Sequence, residues 1–255
     1  MKLGILQGRL SPPNGGFQEF PKNWKNEFKN LETMGLKHID WLVTKNCLGD
    51  SNPLFHEDLS SLKIGSICAD NLVDTRIATS TFLFTELHKI CESAIKNNIG
   101  TITIPLLEQS ELSDGDKRAR FIDNMNELAN NWFPTLIFSF EIESYHNVIT
   151  DIIYSNDNFR LTYDTGNMTS LGINHEYYID KYINKIDTVH IKDRLYDGTT
   201  VSPGTGKTDF KSIFNHLRSL NDNGINYTIQ TDRETDGDEV NTISKHKKII
   251  EELYG

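Results

Sequence analysis

Eight short strand-like runs recur along the chain, and they constrain the fold more than any other feature. They are LGILQ (3–7), HIDWLV (38–43), KIGSIC (63–68), TITIPL (101–106), LIFSFEIE (136–143), RLTYD (160–164), DTVHIK (187–192) and NYTIQT (226–231). Between them lie stretches whose apolar residues recur at helical spacing. In FLFTELHKICESAIKN (82–97), Phe82, Leu83, Leu87, Ile90, Cys91, Ala94 and Ile95 share one face. KRARFIDNMNELANNW (117–132) and DFKSIFNHLRSL (209–220) read the same way, with Asp209 placed as an N-cap or first-turn acid. EVNTISKHKKIIEELYG closes the chain as a terminal helix.

Eight strands alternating with helices over 255 residues predict a single (β/α)8 TIM barrel, an α/β fold. The competing architecture, a doubly wound open sheet, needs a Gly-rich phosphate loop in its first β–α turn. That turn here is QGRLSPPNGG, with no G-x-G-x-x-G. No linker, repeat or low-complexity segment divides the chain, so one domain is expected over residues 1–255.

Composition narrows the partners. Asp and Glu outnumber Lys and Arg by 36 to 26, a formal charge of −10, and no basic run carries interleaved aromatics. An acidic surface repels phosphate backbones, which argues against nucleic-acid binding. The N-terminal apolar run is too short for a signal peptide and no later stretch is long enough to span a bilayer. A cytoplasmic location without membrane contact is therefore expected, and a homo-oligomer is left open. Cys47, Cys68 and Cys91 are widely spaced and odd in number, which predicts reduced thiols rather than a disulfide framework or a structural zinc site.

One stretch invites a nucleotide. SPGTGKTDF (202–210) contains Gly-x-Gly-Lys-Thr, the ending of a P-loop. A P-loop also needs a glycine five residues before the glycine of the Gly-Lys pair, directly after a strand. Val201 stands there, and DTVHIK ends about ten residues upstream. The expectation is a loop over the barrel mouth, with Lys207 reaching either a substrate phosphate or solvent.

Catalytic groups of a barrel sit at the C-terminal ends of its strands. Four consecutive strand ends carry Glu141 (with Glu143), Asp164, His190 (followed by Lys192 and Asp193) and Gln230. Each has an ordinary reading: a solvated glutamate, a helix-capping aspartate, a histidine with one structural hydrogen bond. Together they form a mixed oxygen and nitrogen donor set that suits a divalent ion such as Mn²⁺, Mg²⁺, Co²⁺ or Zn²⁺. Asp40, Trp41 and Asp70 end strands two and three and could line the same pocket, although Trp41 fits equally well under a loop.

At this point GILQGRLSP, SICAD, FEIES, YDTGNMTSLG, VHIKDR, the P-G-x-G-x-x-D-F loop and IQTDR, taken in order, give the chain its resemblance. It resembles the xylose-isomerase-like TIM-barrel superfamily, in particular its sugar phosphate isomerase/epimerase group, over essentially its whole length. The resemblance implies metal ligands at Glu141, Asp164, His190 and Gln230. Many members carry a glutamate at the last position, where it serves as a second acid/base group. Gln230 can coordinate but cannot take a proton, which weighs against a symmetrical two-glutamate epimerase. The implied chemistry is metal-assisted proton transfer through an enediolate of a small carbohydrate. Glu141 is the expected base and Lys192 the next candidate. Arg9, Arg194, Lys207 and Arg233 are candidates to hold a phosphate or carboxylate, and Asn167 a hydroxyl. Alternatives are a lyase or dehydratase using the same site and a barrel that binds sugar without turnover. The superfamily's abasic-site endonucleases use a histidine-rich zinc cluster, and Cys68, Pro105 and Asn167 stand where those histidines would be needed.

Overall fold

Eight parallel strands close into a barrel in the order β1-β10-β7-β6-β5-β4-β3-β2. They are β1 (Lys2–Leu6), β2 (Ile39–Leu42), β3 (Ile64–Cys68), β4 (Thr101–Leu106), β5 (Ile137–Ile142), β6 (Phe159–Asp164), β7 (Ile186–Ile191) and β10 (Asn226–Ile229). Each overlaps one of the eight runs, and β4 coincides with its run. Two further strands, β8 (Asp193–Arg194) and β9 (Thr200–Val201), form a separate antiparallel ribbon. The helices are α1 (Trp24–Thr33), α2 (His88–Lys96), α3 (Gly115–Glu127), α4 (His146–Ile153), α5 (Thr165–Ser170), α6 (His175–Tyr182), α7 (Phe210–Ser219) and α8 (Glu239–Tyr254). The computed structural model describes residues 1–255 except 17, 74, 76, 80, 82 and 234–236.

Backbone contacts group into two compact units: Trp41–Thr162, and Met1–Asp40 together with Tyr163–Gly255. In the first, Phe140 of β5 packs edge-on against Phe121 of α3, with ring centroids 5.8 Å apart. Phe138 and Phe140 each meet Phe159 of β6 in the same manner. Side chains alternate along a strand. Phe138 and Phe140 therefore face the helices, and Ser139 and Glu141 point the other way, into the barrel. Ser139 there shares a 2.7 Å hydrogen bond with Thr162 of β6.

The second unit repeats the logic. Tyr163 of β6 stacks on Tyr178 of α6 at 5.1 Å, and Tyr227 of β10 meets Phe214 of α7 at 6.0 Å. Asp164 and Thr228 are thereby turned inward. Strands β10 and β7 pair Tyr227 with Val189 and Thr228 with His190, so His190 also faces inward.

The helix expected over 82–97 begins as a π-helical turn at Leu83–Leu87 and continues as α2. Leu83, Leu87, Ile90, Cys91 and Ala94 are buried as expected, but Ile95 is exposed. Ile95, four residues beyond Cys91, lies about 40° further round the helix, past the edge of the apolar stripe. Phe82 lies outside the described residues. The stretch 117–132 likewise becomes α3 followed by a π-helical turn at Leu128–Trp132. Asp209 caps α7, its Oδ1 accepting from Ser212 N at 3.0 Å. All three cysteines are free and buried. Among the described residues no helix is long and apolar enough to cross a membrane.

Candidate active site

Asp164, the last residue of β6, divides its two oxygens. Oδ1 accepts from Asn167 N at 2.8 Å and so caps α5, whereas Oδ2 lies 2.9 Å from Lys192 Nζ. Lys192 follows β7 directly, and its backbone is pinned by Thr165. That hydroxyl donates to Lys192 O at 2.7 Å and accepts from Lys192 N at 3.0 Å. The lysine stem lies flat over Gly166. A Cβ at Gly166 would come within 2.9 Å of Lys192 Cγ and 3.1 Å of Arg194 Cγ.

His190 is next to last in β7 and Glu141 next to last in β5; both are buried, as is Asp164. Glu141, Asp164 and His190 each offer one donor atom, and the three atoms lie within 4.8 Å of one another. Two carboxylates against one ammonium leave this buried group a net anion when the imidazole is neutral. Buried charge is costly unless paired or bound to metal. A nitrogen and oxygen donor set with a surplus negative charge fits a divalent cation.

Gln230 follows β10 directly, two residues beyond Thr228, the register partner of His190. Its backbone N donates to Ile191 O at 3.1 Å and only 4 % of the residue is exposed. Its Nε2 donates to Gln18 Oε1 at 3.2 Å, and its Oε1 is buried with no hydrogen-bond partner among the described residues.

The strand-end reading extends less far at β5 than the sequence implies. β5 stops at Ile142, so alternation does not carry to Glu143, which is half-buried beyond the strand. Trp41 is fully buried and donates from Nε1 to Asn52 Oδ1 at 3.0 Å, beneath the turns that follow β2. Asp40 accepts from Thr228 Oγ1 at 2.6 Å, and Asp70 begins a 3₁₀ turn after β3.

The four basic candidates separate. Arg9, 1 % exposed, donates from Nε to Thr231 O at 3.1 Å. Arg233 donates to Ser11 O at 3.0 Å and Gly8 O at 2.6 Å. Both tie the loop after β1 to the segment after β10. Arg194 is half-buried on the β8–β9 ribbon, and Lys207 is exposed. Asn167 is buried in the first turn of α5. Elsewhere in the Trp41–Thr162 unit, a cavity of about 550 Å³ is lined by Thr79, Ser110, Glu111, Lys117 and Arg120 among others.

The Gly-Lys-Thr loop does cradle an anion, but the anion is its own. Gly204 N and Gly206 N donate to Asp193 Oδ2 at 2.9 and 2.8 Å, and Thr208 N donates to Oδ1 at 3.0 Å. Val201, where a P-loop would have its first glycine, is instead a strand residue paired with Asp193. A Cβ at Gly206 would meet Asp193 Oδ1 at 2.2 Å. The loop after β1 does the same with Glu27 of α1, whose carboxylate accepts from Gly8 N and Leu10 N at 3.0 Å. Burial outweighs those bonds and raises the Glu27 pKa to about 6.

The family model described as xylose isomerase-like TIM barrel matches residues 78–253. No curated protein sequence matches the chain. Among solved structures, L-ribulose 3-epimerase is similar at 16% identity and a TM-score of 0.77, covering 99% of this chain and 94% of that one. The IolI protein with a bound zinc atom matches at 16% identity and a TM-score of 0.71, with 100% of both chains covered. The 3-keto-D-glucoside 4-epimerase of E. coli, in its apo form, matches at 16% identity and 0.69, covering 97% of this chain and 99% of that one.

Proposed function

The chain belongs to the xylose isomerase-like TIM-barrel family, and from that premise we propose that it is a divalent-metal-dependent isomerase or epimerase of a small sugar or sugar phosphate. The observation that carries the reading is the convergence of Glu141, Asp164 and His190, buried at neighbouring strand ends. Those residues would hold the ion, with Gln230 as a fourth donor through its oxygen. The ion, Mn²⁺, Mg²⁺, Co²⁺ or Zn²⁺, would supply Lewis-acid polarisation of the substrate's carbonyl and hydroxyl oxygens.

The chain's own residues would do the rest. Glu141 takes the proton from the carbon beside the carbonyl, leaving an enediolate of the sugar. It returns that proton to the former carbonyl carbon while the hydroxyl proton passes from the second oxygen to the first, which completes an aldose–ketose isomerisation. Epimerisation needs a proton delivered to the opposite face. Gln230 has no proton to carry, which leaves Lys192, whose Nζ already lies against Asp164. Support from known proteins is that the structural relatives include two sugar epimerases.

The test is turnover of a panel of sugars and their phosphates in deuterated water, with and without added Mn²⁺ or Co²⁺. Metal-dependent deuterium incorporation into an isomer of unchanged mass is expected. A product lighter by one water would replace the isomerase with a dehydratase. A site that holds no metal after purification from metal-replete medium would favour a sugar-binding barrel.

A further inference from the structure

A side-chain amide offers an oxygen at one edge and two N–H donors at the other, and a half-turn exchanges them. Which edge Gln230 turns toward the cluster decides whether it can serve as a ligand at all. Its NH₂ edge is engaged by Gln18 Oε1 at 3.2 Å, across 212 residues of sequence. Its oxygen is left buried with no donor among the described residues. An unpaired buried acceptor is costly. That arrangement persists only where an electrophile or a neighbouring contact compensates for it.

We infer that Gln18, in the loop between β1 and α1, is a positioning residue that holds the Gln230 amide with its oxygen toward Glu141, Asp164 and His190. The inference rests on the reading that those three side chains bind a divalent ion. Gln18 touches neither ion nor substrate in this role. It acts by presenting an acceptor, so that the opposite amide orientation would set oxygen against oxygen. The loop after β1 is itself fixed: Glu27 holds its amides and Arg233 its carbonyls.

The test uses the full chain, stripped of metal and titrated with Co²⁺, with the dissociation constant read by calorimetry and the ligand set by the visible absorption band. Gln18→Met keeps the length and removes the acceptor, and roughly ten-fold weaker Co²⁺ binding is expected, about 1.4 kcal/mol. Gln18→Glu keeps an acceptor and should bind at least as well as wild type with an unchanged band. In a Gln230→Met background Gln18→Met should lose its effect on affinity. Full persistence of the Gln18→Met effect in that background would overturn the assignment. So would Gln18→Met binding as tightly as wild type. If wild type binds Co²⁺ and only the Gln18 variants fail to differ, the metal site stands and this inference falls. If wild type binds neither Co²⁺ nor Mn²⁺, both fall.

Discussion

Two kinds of buried acid sit in this molecule, and they are wired in opposite ways. Asp193 and Glu27 are enclosed by backbone amides of their own loops: three N–H groups hold Asp193, and those of Gly8 and Leu10 hold Glu27. Glu141 and Asp164 instead bring donor atoms to within 4.8 Å of each other and of His190, although like charges repel. Acids of the first kind close loops; those of the second kind are gathered beside a histidine, Asp164 capping α5 through one oxygen and meeting Lys192 with the other. The difference shows that burial and charge do not by themselves say what an acid is for; its partners must be read as well.

Substitution should separate the two groups. Glu141→Gln is expected to lower turnover at least a thousand-fold, about 4 kcal/mol of barrel-mouth chemistry. Its thermal midpoint should stay level or rise, because one of two facing carboxylates has been neutralised. A fall of several degrees would place Glu141 among the loop-closing acids. Asp193→Ala should do the reverse and cost about 3 kcal/mol or more in urea unfolding, since three amides lose their acceptor. If it folds as well as wild type, the cradle is not what holds the loop.

Glu27 sharpens the contrast through pH. Its carboxyl has a pKa of about 6 in the folded chain against 4.5 for the ordinary group. The folded state thus binds the proton more tightly, and the stabilisation is fully present below pH 4.5 and lost as pH rises through 6. Relative to Glu27→Gln, wild type should gain about 2 kcal/mol on going from pH 7 to 4.5, read from urea midpoints. A flat difference would mean that the amides of Gly8 and Leu10 fully replace the lost water. The smallest effect is expected from Lys207→Ala. That side chain is exposed on a loop folded around Asp193, so turnover of every substrate should be unchanged; a raised KM for phosphorylated substrates alone would return Lys207 to the site.

The barrel was legible because its signals are local. β4 and β5 announce themselves as strand-length apolar runs, and Glu141, Asp164 and His190 stand at strand ends that the alternation locates to within a residue or two. The β8–β9 ribbon was not legible, since two-residue strands are too short to show a period. The anion cradle was half legible. The glycines of SPGTGKTDF mark amides able to surround an anion, but no local pattern says that Asp193, eleven residues before Gly204, supplies it. Gln18 was invisible for a related reason: its partner is 212 residues away, and nothing in the Phe17–Gln18–Glu19 neighbourhood points to it.

Gly166 sets a limit on how this protein could be improved. A glycine inside a short helix is the position an engineer would change to alanine first, for a gain of up to about 1 kcal/mol in helix stability. Its φ is not among the positive values of the chain, so the backbone would accept the change. The obstacle is the Lys192 stem, 2.9 Å from where the new methyl would sit. The lysine would have to lift away from Asp164, exchanging a sturdier helix for a disturbed charge balance at the barrel mouth. Robustness and chemistry compete here for the volume of a single methyl group.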